Sequence, residues 1–540
     1  MRDFPCIGSY DNGLMSPAWG QTNKNMKLKE KTMMKRTAFV KMLSLVLCLL
    51  MLVAMFAACN DKNKTKPTVP SVGGNGPSTG DGGNKLGIIP DEVDYGGETY
   101  GLLLWTEAKN GIFPEEQVDG ADIRNDLYER NQLIEQELGL KYAPTYKISS
   151  SANQELYTEA QSGKGVYEAI CCYSTYPPML AKEGLLVDMN SLEYPATDME
   201  WYPDQIHNWE ISNRLFFVTN NSSIRNIISN WVIFANNVMI EEKGQEDIAD
   251  VVLDGRWTLD VMKEYSREWA SQAEGNPSKP EAERVYGLSL IHSTAIEAFY
   301  HAAGFQASKI NAQGKPELVY TNKTNAENVR GFIDQFLEIC NSTEFGCGDK
   351  DTTSSATLGS GNWTAPLTNG NSVFFAGALD LYKTFDAESG KFTIIPLPKL
   401  NENQDNYYSI TNWAFDVWCI PEKGLDSDVG GLTIEAIAYD DYSSIAYKFW
   451  EKDFKYRYSS DDRGVQIFDI IRTSFHAEFV RGWDTSNPYS ALKGCLTNST
   501  NGTFSNSYSV NYQSAILAMD TVDKLVNDIE AIMKRKENGN

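Results

Sequence analysis

Catalytic chemistry tends to leave fixed spacings, and this 540-residue chain carries none of the familiar ones. Its four histidines, His207, His292, His301 and His476, stand apart, with no HExxH and no CxxC to hold a metal. There is no GxSxG, no P-loop and no GxGxxG after a strand. Paired carboxylates say little, because with 72 Asp and Glu some pair always falls at a workable spacing. Asp349-Lys350-Asp351 and Asp426-Ser427-Asp428 lack the remaining ligands of a calcium loop and read as solvated turns. The expectation is a protein that is not an enzyme and needs no metal or cofactor. What stands out is aromatic: 27 Tyr and 12 Trp beside 23 Phe, rings with a polar tip that suit contact with something both polar and flat.

The elements that must position such rings begin well inside the chain. Lys35-Arg36 and Lys41 precede Met42 to Ala58, apolar apart from Ser44 and ending Phe56-Ala57-Ala58-Cys59. A basic stretch, a short apolar stretch and small residues before a cut are what a secretory signal requires. The segment resembles a bacterial lipoprotein lipobox, which implies acylation of Cys59, although Phe56 stands where Leu is usual. An uncleaved membrane anchor is the alternative, at the short limit for spanning. Residues 60–85 are rich in Gly, Pro, Asn and Lys and cannot bury enough surface to fold. Residues 1–58 are therefore expected to be upstream residues and signal peptide, and 59–94 a lipid-anchored flexible tether.

Eight of the 48 Lys and Arg and three of the 72 Asp and Glu lie in residues 1–58, so the remainder carries a formal charge of −29. That field argues against nucleic acid and makes an anionic ligand less favourable, though a local pocket can override it. The remaining length exceeds what one core supports, so two lobes are expected. Among the cysteines, Cys171 and Cys172 point to opposite faces of a strand, and Cys340 and Cys347 flank a short loop they could close.

Strands are expected over Tyr100–Trp105, Val166–Tyr173, Leu215–Val218, Trp231–Phe234, Phe392–Pro398 and Ala414–Trp418. Helices are expected over Asp122–Leu138 with Gly139 at its end, from Tyr176, from Thr258 through Trp269, over Ala326–Cys340, around Ile434–Phe449, and over Ala515–Met533. This alternation argues a parallel sheet covered by helices.

Several of these segments resemble the extracellular solute-binding protein family 1, the sugar-type substrate-binding lipoproteins of ABC importers in Gram-positive bacteria. They are Asp122–Asn131, Tyr167–Ile170 with Ala181–Asn190, Trp231–Asn237, Asp254–Asp260 and Phe392–Lys399 with Gln404 and Tyr407-Tyr408. The resemblance implies a periplasmic-binding-protein-like type II α/β fold, two α/β lobes joined by crossover strands with a ligand cleft between them. Lobe 1 would comprise 95–220 and 396–445, and lobe 2 would comprise 221–395 and 446–540. It also implies a monomer held at the outer membrane face, a carbohydrate ligand, and ABC permease subunits as partners. A surface glycan-capturing protein without an importer remains the alternative, with a secreted glycoside hydrolase behind it.

A sugar offers a flat apolar face and an edge of hydroxyls, so its site pairs aromatic rings with polar side chains. In wound α/β sheets such residues follow the carboxyl ends of strands. That rule selects Trp105 and Glu107, Tyr173 and Tyr176, and Asn220. Loops add Trp363, then Tyr408, Asn412 and Trp413 near the return between lobes, and Trp483 late in the chain. Trp269 and Trp450 are expected to be structural.

Overall fold

The computed structural model describes residues 86–538 apart from 91, 107, 121, 148–156, 159–160, 163–165, 204, 221–222, 275–277, 280–282, 291, 320–322, 342–367, 385–389, 413–414, 425, 460, 476–477 and 484–522. Cys59, Glu107, Trp363, Trp413, Cys347 and the Asp349-Lys350-Asp351 step therefore lie outside the described residues. Among those described, no helix is long and apolar enough to cross a membrane.

The apolar run Leu102-Leu103-Leu104 forms the centre of strand β1 (Thr99–Trp105). It pairs in parallel with β2 (Lys141–Lys147) on one side and β3 (Ala169–Tyr173) on the other. The helix Asp122–Leu138 makes the crossover between β1 and β2 and stops at Gly139, whose φ of 64° is the left-handed geometry glycine adopts freely. The sheet is completed by β4 (Phe217–Val218) and by a strand from far downstream, Asp416–Cys419, which runs antiparallel between β3 and β4. Cys171 and Cys172 do face opposite ways, yet both are buried, because both faces of the sheet are covered. The helix Ser427–Asp440 packs close against this lobe through Gly430 and Gly431, where a Cβ would fall 2.3 Å from Glu168 O and 2.1 Å from Tyr194 O.

The second sheet has β5 (Trp231–Asn236) and β6 (Tyr286–Leu290), and, beyond a small hairpin of β7 (Ser308–Ile310) and β8 (Pro316–Leu318), β9 (Ser372–Ala378) and β10 (Phe392–Ile395). Their order is β10-β5-β9-β6, with β5 antiparallel to both neighbours and β6 parallel to β9. Every residue of β5, β6 and β9 is buried, as expected of strands covered on both faces. Helix Leu259–Arg267 lies on β6 and β9, and its N-cap Thr258 accepts from Val261 N at 3.3 Å. Helices His292–Ala302 and Lys323–Asn341 meet through Phe299 and Phe336, with ring centroids 5.0 Å apart.

Three chain segments run side by side between the sheets. Trp231 N donates to Ile410 O at 3.0 Å and Asn412 N to Ser229 O at 2.7 Å, while Ser409 N donates to Ser474 O at 2.8 Å. These short pairings are the crossover strands. A fourth connection leaves helix Ser427–Asp440 through the π-helical turns Asp441–Ile445 and Lys448–Phe454 and reaches helix Asp462–Thr473, which packs on β10.

Three expectations need correction. Both sheets are mixed rather than parallel, because each lobe receives a strand returning from the other direction. The Asp426-Ser427-Asp428 step is a helix start, with Asp426 accepting from Asp428 N and Val429 N. The last helix, 523–537, expected with lobe 2, also lies against the first lobe: Lys536 pairs with Glu422, Arg214 with Glu537, and Ile532 sits against Gly184, while Glu530 pairs with Lys315 just before β8. Its amphipathic stripe was readable, but a stripe does not say which lobe it covers.

Candidate functional site

β1 and β3 run in parallel and end at Trp105 and Tyr173. The strand Asp416–Cys419 is antiparallel to β3, in register Asp416 with Tyr173, so it begins where they end. We label it β11. Topology alone thus gathers Trp105, Tyr173 and Asp416 at one end of the first sheet, the end at which wound α/β sheets hold ligands.

Asp416 is 1% exposed and organises the cluster. Its Oδ1 accepts from Trp105 Nε1 at 2.8 Å and its Oδ2 from Ser223 Oγ at 3.0 Å. Its backbone is held too: Asp416 N donates to Asn226 Oδ1 at 2.9 Å, and Thr219 Oγ1 donates to Asp416 O at 2.7 Å. Asn226 Nδ2 then donates to Thr219 Oγ1 and to Asn220 O. Ser223 and Asn226 belong to the segment leaving β4, so the link between the lobes and the floor of the first lobe share one hydrogen-bond network.

Aromatic rings surround this floor. Tyr173 meets Trp105 edge-on at 5.7 Å, and Tyr176, at the start of helix Tyr176–Lys182, lies 5.9 Å from Tyr173. The guanidinium of Arg225, from the short helix Ile224–Ile228, sits 4.8 Å over the Trp105 ring, with its Nε 3.8 Å from Asp416 Oδ1. That helix also touches the turn Leu379–Lys383 that follows β9, so the second lobe abuts the same place.

Beneath the cluster, Asp441 is buried against Arg130, whose Nη1 donates to Asp441 Oδ1 at 2.5 Å. Burial, reinforced by Asp440 and Asp416, pushes the Asp441 carboxyl up to about 7 despite the opposing pull of Arg130 and a hydrogen bond from Asn220. Thr219, Asn220 and Asn226 also line a hollow of about 20 Å³ against Trp450, Arg472 and Phe475, room for about one water between the lobes. No group of three or more metal-ligating side chains occurs among the described residues.

The candidates from the sequence thus divide. Trp105, Tyr173, Tyr176 and Asn220 come together around Asp416. Trp105 is only 2% exposed, however, and the ring face toward Arg225 is already covered. Asn412 lies on the link segment, paired to Ser229. Tyr408 lies beside Gly304, just past helix His292–Ala302. Trp483, expected in a loop that meets ligand, instead ends the buried helix Phe479–Trp483. It packs 4.9 Å from Phe217 and donates Nε1–H to Trp209 O at 2.7 Å. Trp269 and Trp450 are buried.

Arg225, Ser223, Arg130, Asp416 and Asp441 were not anticipated. Asp416 had a legible signal, a lone charge inside the apolar run Ala414-Phe415-Asp416-Val417-Trp418. Arg225 had none, since Ser-Ser-Ile-Arg-Asn reads as an ordinary turn.

A larger cavity, about 520 Å³, lies elsewhere, between Asn237, Glu241, Thr393, Arg457, Asp461 and Arg463. It sits at the far end of β5, about 16 Å along the strand from the link at Trp231. Its Arg463 is already bound to Asp247, Asp250 and Asp461. The Asp416 cluster is the better candidate because its polar groups converge where lobes meet.

No family model and no curated relative matches the sequence. Solved structures do. The chain is similar to the galacto-N-biose/lacto-N-biose I-binding protein of the ABC transporter from Bifidobacterium longum, in complex with lacto-N-biose. The TM-score is 0.53 at 11% identity, over 81% of this chain and 99% of that one. Two further likenesses have a TM-score of 0.49. One is the GacH receptor of Streptomyces glaucescens (11% identity, 80% of this chain, 99% of that chain). The other is an ABC transporter associated binding protein from B. animalis subsp. lactis (13% identity, 79% and 98%). With its two mixed sheets and paired crossover strands, the chain has the periplasmic-binding-protein-like type II fold, two α/β lobes with a cleft between them.

Proposed function

We propose that this protein captures a solute, a carbohydrate or oligosaccharide, between its two lobes and delivers it to an ABC importer without altering it. The observation that carries the reading is the convergence of Trp105, Tyr173, Tyr176, Asp416 and Arg225 where the first sheet meets the crossover strands. Rings supply flat apolar contact and the guanidinium supplies edge hydrogen bonds, the pairing a sugar needs, while the buried carboxylate holds Trp105 in place. The similar fold from B. longum holds lacto-N-biose. Binding would favour the closed arrangement of the lobes, a hinge movement about the 229–231, 409–412 and 474–475 segments.

On this reading residues 1–58 supply a signal peptide, and acylated Cys59 fixes a monomer to the outer face of a Gram-positive membrane. Residues 60–85 then act as a tether whose mean span is about 30 Å, keeping the clamp within reach of the permeases. A thermal-shift screen across sugars, amines and peptides tests the ligand class, since a specific ligand stabilises the fold by mass action. A rise in melting temperature with saccharides alone supports it. No shift with any sugar, beside a shift with amines or peptides, removes the carbohydrate assignment.

A further inference from the structure

One group in the Asp416 cluster has donors to spare. Arg130 is engaged with Asp441, Arg472 approaches Glu451 at 3.4 Å, and Arg481 pairs with Glu297 at 2.6 Å. The Arg225 guanidinium makes no hydrogen bond to any described residue, and its buried Nε–H has no partner. Its nearest carboxylate oxygen is 3.8 Å away, and both oxygens of that carboxylate already accept from Trp105 and Ser223.

The side chain is 28% exposed while its Nε is buried. It is held in orientation by the Trp105 ring it covers. A planar fork of five donors, fixed in direction and without protein acceptors, matches a carboxylate better than it matches scattered hydroxyls. Asp416 offsets Arg225, and Asp441 offsets Arg130 only in part, because its carboxyl sits at about 7 and holds a proton for part of the time at neutral pH. Asp440, beside Asp441, adds a further buried carboxylate, so the attraction rests on the Arg225 fork and not on a net local charge.

We propose that the interlobe site takes an acidic saccharide, a sugar bearing a carboxylate such as a uronic acid, and that Arg225 binds the carboxylate while the neighbouring rings hold the sugar face. This rests on the cleft being a saccharide site. It also accounts for how an anion would bind against the overall field: the attraction is local and short-ranged.

The test is calorimetric titration of the purified protein with matched pairs, uronate di- and trisaccharides and their neutral counterparts of the same linkage. The expected result is an acidic member binding at least about tenfold more tightly than its neutral partner, weakening as salt rises, with the preference lost in Arg225→Gln. Arg225→Lys should keep the charge and recover part of the preference, having lost the planar fork. Should Arg225→Gln fail to fold, the salt dependence in the unaltered protein decides. A neutral saccharide binding as tightly as its acidic partner, with no salt dependence, overturns the proposal and leaves saccharide capture standing. Absence of binding in both arms overturns both.

Discussion

Trp105 and Asp416, 311 residues apart in sequence, are joined by a 2.8 Å hydrogen bond from the indole Nε1–H to Oδ1. This bond ties the end of the first strand to the strand that returns after all four strands of the second sheet. Asp416→Ala leaves the buried donors of Trp105 and Ser223 without their acceptor and removes the carboxylate that stands 3.8 Å from Arg225. Urea unfolding should show a loss of about 3 kcal/mol. A loss under about 0.5 kcal/mol would mean that the network contributes little to holding the lobe together.

The placement of Trp483 gives a sharper contrast. Because it packs on Phe217 and Phe479 in the core, Trp483→Ala should lower stability by about 3–5 kcal/mol. A residue that merely met ligand would lose affinity and keep its melting temperature. A stable Trp483→Ala protein would return this residue to the ligand-facing set.

Helix Ser427–Asp440 has two glycines in its first half, where alanine is ordinarily favoured. Here the backbone approach forbids it. Gly431→Ala would push a methyl group to 2.1 Å from Tyr194 O, so the helix must shift and the fold should lose about 1–3 kcal/mol. An alanine variant as stable as the parent, measured by the same unfolding curves, would contradict that packing.

These elements show what was legible in the sequence. Strand β1, helix Asp122–Leu138 with its Gly139 stop, and the Thr258 cap were readable because local pattern and tertiary structure agree there. β2, β6 and β9 went unread. β2 reads Lys-Tyr-Ala-Pro-Thr-Tyr-Lys, a half-buried edge strand with no strong apolar run, β6 is short, and β9 ends in the small residues Ala-Gly-Ala. The site was legible only on its strand-end side. Trp105 and Tyr173 follow from where their strands stop, whereas Asp416 and Asp441 reach the site through pairing and helix geometry hundreds of residues away, and Arg225 through a short helix after β4. Trp483 misled because a Trp beside Asp and Asn looks like a loop until Phe217 is found against it.

Stability should also carry the mark of Asp441. Its folded carboxyl sits at about 7 and the unfolded one near the ordinary 3.8, so between those values the folded state binds the extra proton. Stability from this group is therefore full below about pH 4, falls as pH rises toward 7, and is flat above, with a slope of at most about 1.4 kcal/mol per pH unit. Glu435 and Asp440 are also raised by burial and act in the same direction. Melting temperatures across pH 4–8 should decline more gently in Asp441→Asn than in the parent. Parallel curves would mean that this carboxyl titrates normally.

The central claim is reversible capture of a saccharide between the lobes, and calorimetry with recovery of the ligand tests it most directly. One saccharide per chain should bind, and the sugar released on denaturing the complex should be chemically intact. No heat from any saccharide, or recovery of the sugar in cleaved form, would contradict the account.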